Sequence, residues 1–244
     1  MHDLYHHRVI SFAFAILIFT FSLGYFFTSL IVSGHLKVLV DYCAGAYHCF
    51  VLAFVFIGVV TLLKRTESSR THIWFLTNGC SRTTLIIGLW LGCASILLIT
   101  SLLYYGIFIL FCFHQTGQWL FFIWKSYITY FFEGMLVLSF AFFWSQFLSI
   151  NMCCAAIACS YLICMLNHAW FLHIQAHTTG IAYFVALGLH YFLPNLHMID
   201  IQSETLYELP IDIPIFAGTL IYTGLFCSIL LTVAGYIFKH KQLI

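Results

Sequence analysis

The chain has 244 residues, of which 63% are hydrophobic, 19% aromatic and only 7% charged. A soluble domain carries roughly 25% charged residues, so a water-soluble fold of this size has too little polar surface to cover itself. The apolar excess calls for lipid, and a formal net charge of +1 gives no bulk field that points to nucleic acid.

A helix that crosses a bilayer needs about 20 mainly apolar residues. In chain order the runs that meet this are about 9–32, 42–63, 85–112, 121–148, 152–172 and 215–238. The expected fold is an all-α membrane protein with about six transmembrane helices, a single transmembrane domain over 1–244. The first run is too long for the apolar region of a secretory signal and no small-residue cleavage site follows it, so it reads as the first span.

A polar stretch, Lys64 to Thr84, joins the second and third spans. It holds a short apolar run, Ile73 to Leu76, then the helix breaker Asn78-Gly79, then Ser81, a residue suited to capping the third span. This reads as a short helix at the membrane face followed by a helix start, an element able to press against a soluble partner. An ordinary charged loop that fixes topology is the simpler alternative. His114 to Gln118 breaks the third span from the fourth, and Ser149-Ile150-Asn151 reads as a tight turn before the fifth.

Between the fifth and sixth spans, Ile181 to Phe192 is apolar but too short to cross, which suggests a re-entrant or interfacial helix. Leu193 to Pro214 then carries Asp200, Glu204, Glu208 and Asp212 and all three prolines. Of the nine Lys and Arg, seven (Arg8, Lys64, Arg65, Arg70, Arg82, Lys239 and Lys241) fall on one side of a six-span layout. The positive-inside rule places that side, with both termini, in the cytoplasm and the acidic segment outside.

Glu133 is the only carboxylate deep inside an expected span, where a charge costs on the order of 3 kcal/mol. It reads as a residue of a substrate path or subunit contact, or as a polar contact between helices. Lys125, eight residues earlier, lies nearer the outer surface. His168, His173 and His177 recur near the end of the fifth span and raise the alternative of a membrane redox or metal (haem) protein. The ten cysteines include no C-x-x-C pair and read as small buried hydrophobes, with a Cys43–Cys49 disulfide left open. No G-x-x-x-x-G-K-[ST] loop occurs, so no ATP hydrolysis is expected on this chain.

The segment Thr71 to Gly92 resembles the permeases of type-2 ABC exporters, in which a hydrophobic helix is followed by Pro-x-Ser-Arg and a glycine pattern opening the third span. Ser81-Arg82 and the pair Gly88 and Gly92 carry the likeness, with Gly79 in place of the proline and Leu89 in place of a lysine. Lys37 to Asp41, Tyr191 to Leu196 and the basic tail Phe238 to Lys241 are similar to one branch of that family. The resemblance implies that Arg70, Thr71, Ile73, Trp74, Phe75, Leu76, Ser81 and Arg82 form a coupling helix and its exit, seated on a separate cytoplasmic ATPase that holds the ATP and Mg. It implies a second permease copy, or a related permease, and an inner-membrane location. It also implies an outer segment, with Pro194, Asn195 and Asp200, that serves as a lid or docks an extracytoplasmic partner. A structural subunit of a membrane complex with no transport cycle is a further alternative.

Overall fold

The computed structural model describes residues 22–26, 35–59, 81–117, 119, 123–177, 180–196 and 213–240. Among them every regular element is helical. We label the helices α1 (His35–Ala53, continuing as π-helical turns over Phe54–Val59), α2 (Arg82–Thr116), α3 (Trp124–Trp144), α4 (Ile150–His177), α5 (Ile181–Phe192) and α6 (Ile213–His240). Five of the six are long and apolar enough to cross a membrane, and α5, with 12 residues, is the exception. The expected first span lies outside the described residues apart from 22–26, which are helical.

Several boundaries differ from those the apolar runs suggest. α1 begins at His35 rather than near 42, because the polar residues Lys37 and Asp41 extend the helix beyond its apolar stretch. For the same reason Gln175 and His177 belong to α4, which was expected to end near 172. The turn expected at Ser149 to Asn151 sits over residues 145–148 instead. Ser149 already supplies the first carbonyl of α4, accepting from the Cys153 amide at 2.8 Å. Cys43 and Cys49 are not a surface pair. They lie inside a span on different sides of α1, Cys43 fully buried and Cys49 exposed, and both thiols are free.

The helix ends follow from local chemistry. Ser81 has extended backbone angles and its Oγ accepts from the Thr84 amide at 3.1 Å, which satisfies one of the open donors at the start of α2. At the far end Gly117 takes the left-handed conformation (φ 70°) that lets its amide close on the Phe113 carbonyl at 2.8 Å. Pro194 stops α5, holding Leu193 extended. Pro214 is tolerated in the first turn of α6, where its missing amide has no intrahelical partner.

α3 is the central helix. Of its most apolar stretch 72% is buried, against 22–44% in the other four spans. It packs against α1, α2, α4 and α6. Two indole hydrogen bonds pin it: Trp90 of α2 donates to Ser139 Oγ at 3.1 Å, and Trp144 donates to Ser160 Oγ of α4 at 2.8 Å. At Gly134 a Cβ would overlap Val51 of α1 and come within 3.1 Å of Leu97 of α2, so three helices converge where one side chain is missing. The outward faces of α2, α4 and α6 carry Leu102, Leu110, Leu166, Ile221 and similar residues, as a lipid-facing surface requires.

Candidate functional site: a polar node between three spans

Glu133 sits in the middle of α3, nine residues (about 14 Å) from its start. It is only 6% exposed. Its Oε1 accepts two hydrogen bonds from other helices. His48 Nε2 of α1 lies at 3.0 Å and the Tyr161 hydroxyl of α4 donates at 2.9 Å. The third edge, Tyr161 Oη to His48 Nε2, is 3.2 Å, so the three side chains form a closed triangle. His48 and Tyr161 also lie in the middle of their spans. An isolated carboxylate at this depth is costly, and partners on other helices are how such a group is held.

The node has one accessible edge. The side chain of His48 is 24% exposed, that of Glu133 8%, and Tyr161 is buried. The imidazole lies flat on the ring of Tyr130, one turn before Glu133, with centroids 4.8 Å apart and 10° between planes. Tyr130 opens an aromatic cluster towards α2: Tyr47 stacks on Tyr127 at 4.6 Å, and Tyr104 packs against both. The Tyr104 hydroxyl donates to the Cys43 carbonyl at 3.4 Å. The Tyr127 hydroxyl is buried without a protein hydrogen-bond partner among the described residues.

The sequence singles out Glu133, with Lys125 as a second polar residue nearer the outer surface; in the structure Glu133 hydrogen-bonds to His48 and Tyr161. Lys125 stands at the start of α3, about 12 Å along the axis. Both true partners escaped the sequence reading. The available signal was positional: His48 is an ionisable residue in the middle of an apolar run, as Glu133 is.

The other sequence-derived sites divide into described and undescribed parts. Ser81 is the cap described above, and Arg82 is the first residue of α2. Arg70, Thr71, Ile73, Trp74, Phe75, Leu76 and Asp200 lie outside the described residues. Pro194 and Asn195 are buried rather than displayed at the surface. Asn195 is 3% exposed and its amide donates to the Tyr222 hydroxyl of α6 at 3.0 Å. This bond ties the start of the segment after α5 to α6. Asn167 of α4 adds a second anchor, donating to the carbonyls of His190 and Leu193 at 3.2 and 3.4 Å.

The histidines of α4 split. The helix does continue past Leu172, and the rings of His173 and His177 meet edge to face at 4.6 Å. His168 instead faces His190 of α5, with centroids 6.2 Å apart. Among the described residues no group of three or more His, Cys, Asp or Glu side chains is placed to hold a metal ion.

No protein-family model matches the chain, and no curated protein matches it. The structure thus defines the class alone: a polytopic helical protein built for a membrane, with a buried carboxylate–imidazole–phenol node at its centre.

Proposed function

We propose that the chain is the transmembrane subunit of an ATP-driven exporter of the type-2 ABC permease kind. In this reading six helices cross the inner membrane, the first over about 9–32, with both termini in the cytoplasm. Two copies, or one with a related permease, line the pathway. A separate ATPase grips the Arg70–Leu76 stretch and supplies ATP hydrolysis and Mg.

The observation that supports it best is the form of α2. A polar, cation-bearing stretch leads to the Ser81 cap, and from there one unbroken helix of 35 residues runs to Thr116. At 1.5 Å per residue it is about 52 Å long, well beyond a hydrocarbon core of about 30 Å. A rod of that length carries a push at its cytoplasmic end through the bilayer. Its first turn is also braced by the last span: a Cβ at Gly235 of α6 would stand 3.2 Å from Thr83. Force applied at Ser81–Thr83 therefore reaches two spans at once, which is what coupling to an ATPase asks of a permease.

The test is purification of the tagged chain from its own membranes. A P-loop ATPase should be recovered in stoichiometric amount, and its ATP turnover should depend on the chain. Changing Ile73 and Phe75 to Asp should remove the ATPase while leaving the chain in the membrane. Recovery of the intact chain with no ATPase, or an ATPase that stays bound to the doubly substituted chain, would end this reading.

A further inference from the structure

Contacts between α1 and α2 form successive rungs. The Tyr104 hydroxyl of α2 reaches the Cys43 carbonyl of α1 at 3.4 Å. About two turns away, Val51 of α1 and Leu97 of α2 converge on Gly134. The order rises along one helix and falls along the other, so the two run antiparallel at this face. Tyr47 and Ser101 stand between these rungs, each one turn from its neighbours on its own helix. Tyr47 is 0% exposed and Ser101 7%. Their hydroxyls face each other across the interface, near enough to interact, yet neither has a hydrogen-bond partner among the described residues.

A buried hydroxyl left without a partner is costly. Ser95 and Thr100 of α2 avoid that cost by donating to a carbonyl one turn back, at 2.8 and 2.9 Å. Ser101 makes no such bond; its hydroxyl is turned to Tyr47 instead. Internal water serves buried polar groups of this kind, because one molecule both donates and accepts on each side. We propose that Tyr47 and Ser101 hold a water molecule between α1 and α2, inside the bundle.

The surroundings select water over other ligands. The side chains of these rungs, Cys43, Tyr47, Val51, Leu97, Ser101 and Tyr104, include no charged group, so an ion would find no counter-charge on them. The rings of Tyr47, Tyr104 and Tyr127 pack with centroids 4.6 to 6.2 Å apart, which leaves no space among them for a lipid chain or an aromatic ligand. Tyr127, whose ring stacks on Tyr47, brings a third buried hydroxyl of the same kind from α3, 5% exposed and without a partner among the described residues. No proton moves in this account, and the site stands whether or not the chain belongs to a transporter.

The experiment is hydroxyl-radical footprinting of the full chain in lipid nanodiscs, with the radicals made from water by X-ray radiolysis and the labels read by mass spectrometry. A side chain is labelled where water stands beside it. Tyr47, though fully buried, should be oxidised several-fold faster than Phe142, which is as deeply buried at 1% exposed. Ser101→Ala should slow the labelling of Tyr47 several-fold. Thermal unfolding gives a second readout. Tyr47→Phe and Ser101→Ala should each lower the melting temperature by a few degrees, and the double variant should fall no further than the singles, because the two hydroxyls share one molecule. Labelling of Tyr47 no faster than that of Phe142 would mean a dry interface or a direct bond between the hydroxyls, and would overturn the proposal. So would labelling that Ser101→Ala leaves unchanged, or a melting temperature that rises in either single variant, as the removal of an unserved hydroxyl predicts.

Discussion

His48 and Glu133 are 85 residues apart in sequence and 3.0 Å apart in space. Their contact ties the first described span to the central one at mid-depth, where water is scarce. Hydrogen bonds between membrane helices are often worth less than this setting suggests, averaging about 0.6 kcal/mol with a maximum near 1.7. A pair that includes a carboxylate belongs at the upper end, because removing one partner strands the other in a poor solvent.

A double-mutant cycle on His48 and Glu133 should therefore give a coupling energy of about 1.5 kcal/mol or more. Tyr161→Phe, which removes one of two donors to the same oxygen, should cost about 0.6–1.7 kcal/mol. Unfolding of the purified variants in mixed detergent, followed by tryptophan fluorescence, measures both. A coupling energy near zero would reduce the triangle to three neighbouring side chains.

Gly134 follows Glu133 directly and sets the approach of α1. A methyl group there meets Val51, with Leu97 close behind. Gly134→Ala should destabilise the protein by about 1–3 kcal/mol, the usual cost of overpacking. Val51→Ala in the same chain vacates the space the methyl needs, so the double variant should recover much of that loss. Thermal stability of the single and double variants decides it, and a neutral Gly134→Ala would mean that α1 lies further from α3 than the structure places it.

The course of the chain was legible where lipid dictates it. Helices stand at the second to sixth expected crossings, and the short run Ile181–Phe192 is a helix of its own. The ends were less legible, because hydropathy reports where apolar residues stop, whereas a helix stops where its hydrogen bonds do. α1 thus starts among Lys37 and Asp41 and α4 runs on through Gln175. Ser81 was readable because a cap is a local device. Glu133 was readable as an anomaly, but its partners were not. They lie on other helices, no spacing rule links them, and His48 is one of 13 histidines. The burial of Pro194 and Asn195 was not legible for a related reason: polar and proline-bearing sequence suggests surface, yet both are buried and the backbone N–H of Asn195 donates to the Tyr222 hydroxyl of another helix.

The cap at Ser81 makes a local and separable claim. Ser81→Ala removes the acceptor for the Thr84 amide and should cost about 1 kcal/mol. Ser81→Asp keeps an acceptor and adds a charge that suits the helix dipole, so it should restore the loss. Amide exchange read over residues 82–86 should quicken in the first variant and return to the parent rate in the second. Equal exchange in all three would show that α2 starts elsewhere.

Pro194 stops α5, and Asn167 holds the end so formed. Its side-chain amide donates to the carbonyls of His190 and Leu193, which lie at the end of α5 and have no onward helix to serve them. The segment that follows is then fixed to α6 by the Asn195–Tyr222 bond. The two contacts act in series on the same few residues, Leu193 to Leu196. Asn167→Leu keeps the volume but removes both donors, and should free the end of α5 at a cost of about 1–3 kcal/mol for the buried carbonyls left unbonded. Tyr222→Phe removes the next contact along. Amide exchange over residues 190–196 should rise in either variant and rise further in the double. If Asn167→Leu leaves exchange unchanged, α5 is held by its apolar face alone, and the polar anchor is incidental.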